Sequence, residues 1–253
     1  MVHETKTHTP LKEHHELVWY VKWASSIIIV LAMIATVTVH SIYVPKLNSA
    51  ILGYVNPDNA HLKFFNSDGG ESGACGNGTR CVANLISKEK NDKTIILTTL
   101  SGNLKSKILG NNLVTTEIGN AKIKWNEIPL SHELDTKNLN IKIENLNNKK
   151  YSGGTAINVG NPHIIFFVNK MEDFDIAKIG PKIENHKIFP EKCNVTIAQV
   201  INENLIKIKV WERGAGLTKA CGTAACAAAF AGKLNGLTNN NTDIEFETGK
   251  LSI

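Results

Sequence analysis

Two stretches of this 253-residue chain set a cysteine before a glycine in matching surroundings. They are Ala74-Cys75-Gly76-Asn77-Gly78-Thr79-Arg80-Cys81 and Ala220-Cys221-Gly222-Thr223-Ala224-Ala225-Cys226. A cysteine in the first turn of a helix lies beside unsatisfied N–H groups and the positive end of the helix dipole. Both favour thiolate, so the placement predicts thiols whose pKa is drawn down. Gly76 and Gly222 let a substrate approach the backbone closely, and the free N–H groups there suit a carboxylate. One such loop alone is as easily a structural turn. Two in one chain point to a pair of similar units facing each other.

Stereoinversion at an α-carbon is the chemistry that needs two such groups. One base removes the α-proton from one face, and a conjugate acid delivers a proton to the other. Thiols with a pKa near the operating pH can exchange these roles. Each then needs a group to take or hold its proton. His163, after Gly160-Asn161-Pro162, is one candidate, and Glu212, in Trp211-Glu212-Arg213-Gly214, is the other. The bland readings are a structural histidine after proline and a surface Glu–Arg pair. No metal-ligand cluster, pyridoxal phosphate site or dinucleotide motif is recognisable. The carbanion would depend on excluded water and on backbone donors at the carboxylate.

The elements that must hold these groups follow from periodicity. Residues 75–88 read as a helix with Cys81, Val82, Leu85 and Ile86 on one face. Residues 221–234 read as an Ala-rich helix ending near Gly236. Strand patterns cover 61–65, 94–99, 104–109, 113–118, two segments within 157–168, 194–200, 205–210 and a last strand at 243–247. Strand, Gly-rich loop, Cys-Gly and helix thus occur twice.

Composition is that of a globular protein, 42% hydrophobic and 20% charged. The net charge of +5 is spread over Asn- and Ile-rich segments, with no nucleic-acid motif, and reads as a solvated surface. Five cysteines without close C-x-x-C spacing fit free thiols in a reducing compartment. Residues 1–50 differ from the rest. The run from Trp23 to Val44 carries no Asp, Glu, Lys or Arg and is long enough for a membrane-spanning helix. The alternative is a buried hairpin, since Ile, Val and Thr are also good strand formers.

Several motifs together resemble the diaminopimelate epimerase family. They are Asn66-Ser67-Asp68-Gly69, the two Cys-Gly segments, Gly160-Asn161-Pro162-His163, Glu184-Asn185-His186, Phe189-Pro190, Asn194 and Glu212-Arg213-Gly214. The resemblance covers about residues 51–253. It implies an α/β (α+β) fold of two pseudo-symmetric lobes, each a curved mixed sheet around a central helix, with the site between them. Residues 51–120 would form the first lobe and 121–253 the second, with 1–50 an extra segment holding an apolar helix. The activity implied is cofactor-independent interconversion of LL- and meso-2,6-diaminopimelate, on the route to lysine and peptidoglycan.

By resemblance, Cys75 and Cys221 are the acid/base pair, served by His163 and Glu212 respectively. Asn66, Asn161, Asn194 and Arg213 would hold the distal amino-carboxylate. Gly76, Asn77, Gly222 and Thr223 would hold the reacting carboxylate. Cys81, Cys193 and Cys226 are expected as packed thiols. The resemblance also implies a cytoplasmic enzyme, no cofactor, no metal and no nucleic-acid partner. Membrane contact through residues 23–44 and a homodimer are both compatible with the sequence. The family's N-terminal strand and loop and its returning C-terminal strand are not recognised here, so the first lobe is expected to lack pieces at both ends. The competing readings are a proline racemase or hydroxyproline epimerase, a non-catalytic membrane-anchored derivative, and a zinc or redox module.

Overall fold

The computed structural model describes residues 60–65, 71–72, 75–100, 102–111 and 113–253, all within one unit spanning 48–253. The apolar segment at 23–44, the rest of the first fifty residues, and Asn66 with the following Gly-rich loop lie outside the described residues. Among the described residues, no helix is long and apolar enough to cross a membrane.

The fold is mixed α+β. The short strands β1 (Phe64–Phe65) and β2 (Glu71–Ser72) pair with each other, and helix α1 (Gly76–Lys90) follows. Next come β3 (Thr94–Thr99), β4 (Gly102–Gly110) and β5 (Leu113–Glu117), an antiparallel three-stranded meander. Strand β3 alternates: Ile95 and Leu97 turn inward onto Ala83 and Ile86 of α1, together with Leu62 and Phe64. Helix α1 buries Thr79, Ala83 and Ile86, with Val82 partly buried beside them, so only part of the face expected from its apolar residues turns inward. Leu85 is 61% exposed and Cys81 is exposed. The contact with the meander decides which stripe turns inward.

The hairpin β6 (Ile141–Glu144) and β7 (Lys150–Gly153) leads into a larger sheet. That sheet holds β8 (Thr155–Asn158), β9 (Pro162–Phe167), β10 (Asn194–Asn202), β11 (Leu205–Glu212), β12 (Gly216–Thr218), β13 (Asp243–Phe246) and β14 (Gly249–Ser252). β9 runs parallel to β10, and β11 parallel to β13; the remaining pairs are antiparallel.

Both faces of the centre of this sheet are covered, as the unbroken burial of β8, β9 and the first half of β10 requires. On one face, Ile164, Phe166, Val195 and Ile197 pack with Ile179 and Ile183 of helix α2 (Ile176–Glu184). On the other, Ile165, Ala198, Ile206, Ile208 and Val210 enclose helix α3 (Gly222–Leu234). Apolar over most of its circumference, α3 is largely buried, with Phe230 and Lys233 on its exposed side. Its Ala224, Ala225, Ala227, Ala228 and Ala231 are fully buried, so small side chains let the sheet wrap closely. A Cβ at Gly232 would meet Thr238 Oγ1 at 2.7 Å and Ile206 Cδ1 at 3.0 Å.

Candidate active site

Cys75 and Cys221 are the N-cap residues of α1 and α3, and their backbones are nearly superimposable. Cys75 has φ −143° and ψ 97°; Cys221 has φ −142° and ψ 115°. Each carbonyl accepts the first helical bond, from Thr79 N at 2.9 Å and Ala225 N at 3.0 Å. The two helix mouths abut. A Cβ built on Gly76 would stand 3.6 Å from Gly222 Cα, and one built on Gly222 would stand 3.3 Å from Gly76 Cα. Neither glycine has positive φ. Close backbone approach is what calls for glycine at these two positions.

The strand period of two brings further side chains to this end. On β11, Val210 packs toward α3 while Trp211 packs toward α2, so Glu212 turns back toward α3. On β9, Ile165 faces α3 and His163 shares that face; on β10, Ala198 and Asn194 do likewise. Asn194 and His163 are directly paired across the parallel strands.

The carboxylate of Glu212 acts on both thiols and hydrogen-bonds Cys221. It also accepts a bond from the Thr218 hydroxyl, which β12 brings back beside β11. Cys221 is 6% exposed, with Thr223 Oγ1 at 3.4 Å from its sulfur. Burial pushes the Cys221 thiol well above its ordinary pKa; the Glu212 charge adds to this, and the Thr223 hydroxyl and Ala224 N–H oppose it. Cys75 is half-buried and is raised too, again chiefly by burial, with the N–H groups of Gly78 and Asn77 opposing. This corrects the expectation of lowered thiols: desolvation outweighs the helix-mouth donors.

A second cluster surrounds His163, which is fully buried. Its Nε2 lies 2.8 Å from Asn161 Oδ1 and 3.5 Å from Asn194 Nδ2. An Nε2–H donating to Asn161 leaves Nδ1 as the acceptor, and Nδ1 has no partner among the described residues. Burial first, and the Arg213 charge second, lower the His163 pKa to about 3, so the ring is neutral. Asn194 donates to Pro162 O at 3.0 Å and accepts from Arg213 N at 3.0 Å. The Arg213 guanidinium donates to Glu191 O at 2.9 Å.

The structure therefore brings Cys75, Gly76, Asn77, Cys221, Gly222, Thr223 and Glu212 together at the helix mouths. His163 and Asn194 lie on that same sheet face, with Asn161 and Arg213 bonded to them at the strand ends. His163 hydrogen-bonds Asn161 and lies beside the Asn194 amide, and none of its hydrogen bonds among the described residues reaches Cys75. Two supporting side chains escape the sequence reading. Thr218 holds Glu212, and the Gly-rich turn at 213–216 was a hairpin signal that announced it. Arg80 donates to Asn77 Oδ1 from one helical turn on, an i,i+3 spacing visible in the sequence. Of the remaining thiols, Cys193 is buried, Cys226 half-buried and Cys81 exposed, so Cys81 is not a packed thiol. Among the described residues, no group of three or more His, Cys, Asp or Glu could hold a metal ion.

The family model described as diaminopimelate epimerase matches residues 25–124 and 155–253, reaching back into the apolar N-terminal segment. A diaminopimelate epimerase from Pelagibacter ubique is 69% identical over 194 residues, covering 77% of this chain and 71% of that one. One from a Caulobacter species is 43% identical over 195 residues, covering 77% and 68%. Among solved structures, a hydroxyproline epimerase from Agrobacterium vitis shares the fold, with a TM-score of 0.56 at 12% identity. That match covers 80% of this chain and 64% of the other, so the chain spans just under two thirds of that protein's length.

Proposed function

The chain belongs to the diaminopimelate epimerase family, and from that premise we propose that it interconverts LL- and meso-2,6-diaminopimelate by moving a proton between two thiols. The observation that carries this reading is the pair of like-shaped cysteine N-caps on abutting helix mouths, with one carboxylate acting on both.

In this mechanism the α-carbon sits between Cys75 and Cys221. One, as thiolate, takes the α-proton; the other, as thiol, protonates the opposite face. For the reverse direction the roles exchange. The α-carboxylate gathers the negative charge of the carbanion, and the first N–H groups of α1 and α3, at Gly76, Asn77, Gly222 and Thr223, receive it. Glu212 and His163 hold or pass protons for the thiols, the latter through its unpartnered Nδ1. Asn161, Asn194 and Arg213, with Asn66, bind the distal amino-carboxylate. A second zwitterionic end is what proline lacks, which favours diaminopimelate over the proline racemase reading. No cofactor takes part.

The two-lobed reading fits here as well. Residues 51–120 form one lobe and 121–253 the other, and the bridge of Lys122 to Asn158 ties the chain into the larger sheet just past that boundary. Free thiols support a reducing compartment, the cytoplasm, as the place of work, and the product would feed lysine and peptidoglycan precursor synthesis.

The test is incubation with LL-diaminopimelate in deuterium oxide. Deuterium at the α-carbon together with meso product is the expected result. Folded protein that yields neither refutes the reading, and a parallel incubation with L-proline decides against the nearest rival.

A further inference from the structure

Glu184 is an acidic residue at the last position of α2, only 6% exposed. Both its oxygens are engaged by the end of β11 and the turn that follows it. Oε2 accepts from the Trp211 indole Nε1 at 2.7 Å, and Oε1 accepts from the Gly214 backbone N at 3.0 Å. Trp211 and Gly214 bracket Glu212 and Arg213 in the chain. The indole itself packs against α2: a Cβ at Gly180 would fall 2.3 Å from its ring. Gly216, with φ +83°, folds back beside the six-membered ring of the same indole, where a built Cβ would stand 3.5 Å from it.

A buried carboxylate needs its acceptor sites filled, and here two N–H groups do so. The consequence runs the other way too. The two residues between those donors are fixed by a clamp anchored on a different helix, on the opposite face of the sheet from the cysteines. Resting on the epimerase reading above, we infer that Glu184 is a positioning residue: it fixes the 211–214 turn so that Glu212 is held against both thiols and Arg213 against the His163–Asn194 cluster. It touches neither thiol and takes no proton.

The geometry makes the test sharp. A glutamine has one acceptor oxygen, so Glu184→Gln can serve one donor only and turns an NH2 on the other. With the protein still folded, E184Q should lower kcat by about 10–100-fold, the scale of a small misplacement of catalytic groups. Placed on a Glu212→Gln background, the same change should cost clearly less than it does alone, because Glu212 is already disabled and only the share carried through Arg213 remains. Full multiplication of the two losses, or wild-type kcat and KM in folded E184Q, overturns the inference. If E184Q does not fold, E184Q/Trp211→Phe replaces it in the cycle. There the amide oxygen keeps the Gly214 N–H, and no indole N–H is left unpaired.

A second readout needs no turnover. The pH profile for iodoacetamide alkylation of half-buried Cys75, read peptide by peptide, should shift to lower pH in E184Q, as in E212Q, because the carboxylate has moved away. An unmoved profile in E184Q, with a shift in E212Q, sinks the positioning role. A wild-type chain without epimerase activity sinks the functional reading instead, and the alkylation profile still decides on Glu184.

Discussion

A Cβ built on Gly222 would stand 3.3 Å from the Cα of Gly76, so the first turns of α1 and α3 meet through bare backbone. Two helix mouths, each capped by a cysteine, therefore point at one small volume. The contact is not symmetric. The reciprocal distance, from a Cβ on Gly76 to Gly222 Cα, is 3.6 Å, an ordinary van der Waals separation. The groups surrounding the two thiols are also unlike: Cys221 is buried beside Thr223 and Glu212, while Cys75 is half-buried.

This asymmetry makes the glycines separable. Gly222→Ala pushes on backbone, which must shift by a few tenths of an ångström. Gly76→Ala needs no such shift. Alanine is also the better helix former, by about 0.5–1 kcal/mol. G222A should thus lose roughly tenfold or more in kcat/KM through displaced donors, with G76A closer to wild type and neither melting far below it. Parallel kinetics and thermal melts check this; equal losses in both variants would contradict the geometry.

Removing either thiol should end inversion. Cys75→Ala and Cys221→Ala are each expected to lower turnover by at least about 10²–10⁴-fold, the usual worth of a general acid or base. Chiral chromatography of the meso product is the measurement. Cys81→Ser, which alters an exposed thiol outside the site, should leave turnover unchanged and serves as the control. Retained inversion in either alanine variant is incompatible with a two-thiol mechanism.

Glu212 bears on both cysteines, and its charge opposes thiolate formation at each. Glu212→Gln removes that charge, so the thiol pKa values should fall. Iodoacetamide should then alkylate Cys75 faster at a fixed pH near 8 than in the wild type, even as turnover drops. Mass spectrometry of the labelled peptide gives the answer, and slower or unchanged labelling would mean that Glu212 does not face Cys75.

His163 contributes a pH dependence of stability. Its folded pKa is lowered to about 3, well below the ordinary value of 6.5. Between those values the unfolded chain binds a proton that the folded protein does not. Stability from this group is therefore fully present above pH 6.5 and drains as pH falls toward 3, by up to about 1.4 kcal/mol per pH unit. Urea melts at pH 7, 5.5 and 4.5 should show this slope in the wild type and a shallower one in His163→Gln. Identical slopes would show that the ring is protonated in the folded state or that it is not buried.

Local chemistry was readable from the chain itself. The helices expected at 75–88 and 221–234 occur at 76–90 and 222–234, because cysteine, glycine and the residues just beyond them set a helix start through nearest neighbours. Most expected strands occur within a residue or two, since the period-two pattern is local. The Gly-Asn-Pro-His and Glu-Arg-Gly motifs announced which side chains would gather, though not that Glu212 would act on both thiols. Helix α2 went unread because Gly180 and Pro181 interrupt it. Yet Ile176, Ile179, Gly180 and Ile183 keep a helical spacing, and the Asp175 side chain caps its start. Strand β12, three residues long, exists only as a partner for β11, and β14 only as one for β13.

What tertiary structure alone decided is burial and encounter. The helix-mouth argument lowered both thiols, yet burial raised them, and no pattern within seven residues of a cysteine reports how deeply it will be enclosed. Which stripe of α1 turned inward, leaving Cys81 and Leu85 outside, depended on the sheet it met. The clamp from Glu184 to Trp211 and Gly214 joins groups 27 and 30 residues apart in the chain. Residue types and short spacings specify what each segment can do. Only the packing of one segment on another sets the solvent, the charge and the distance in which it does it.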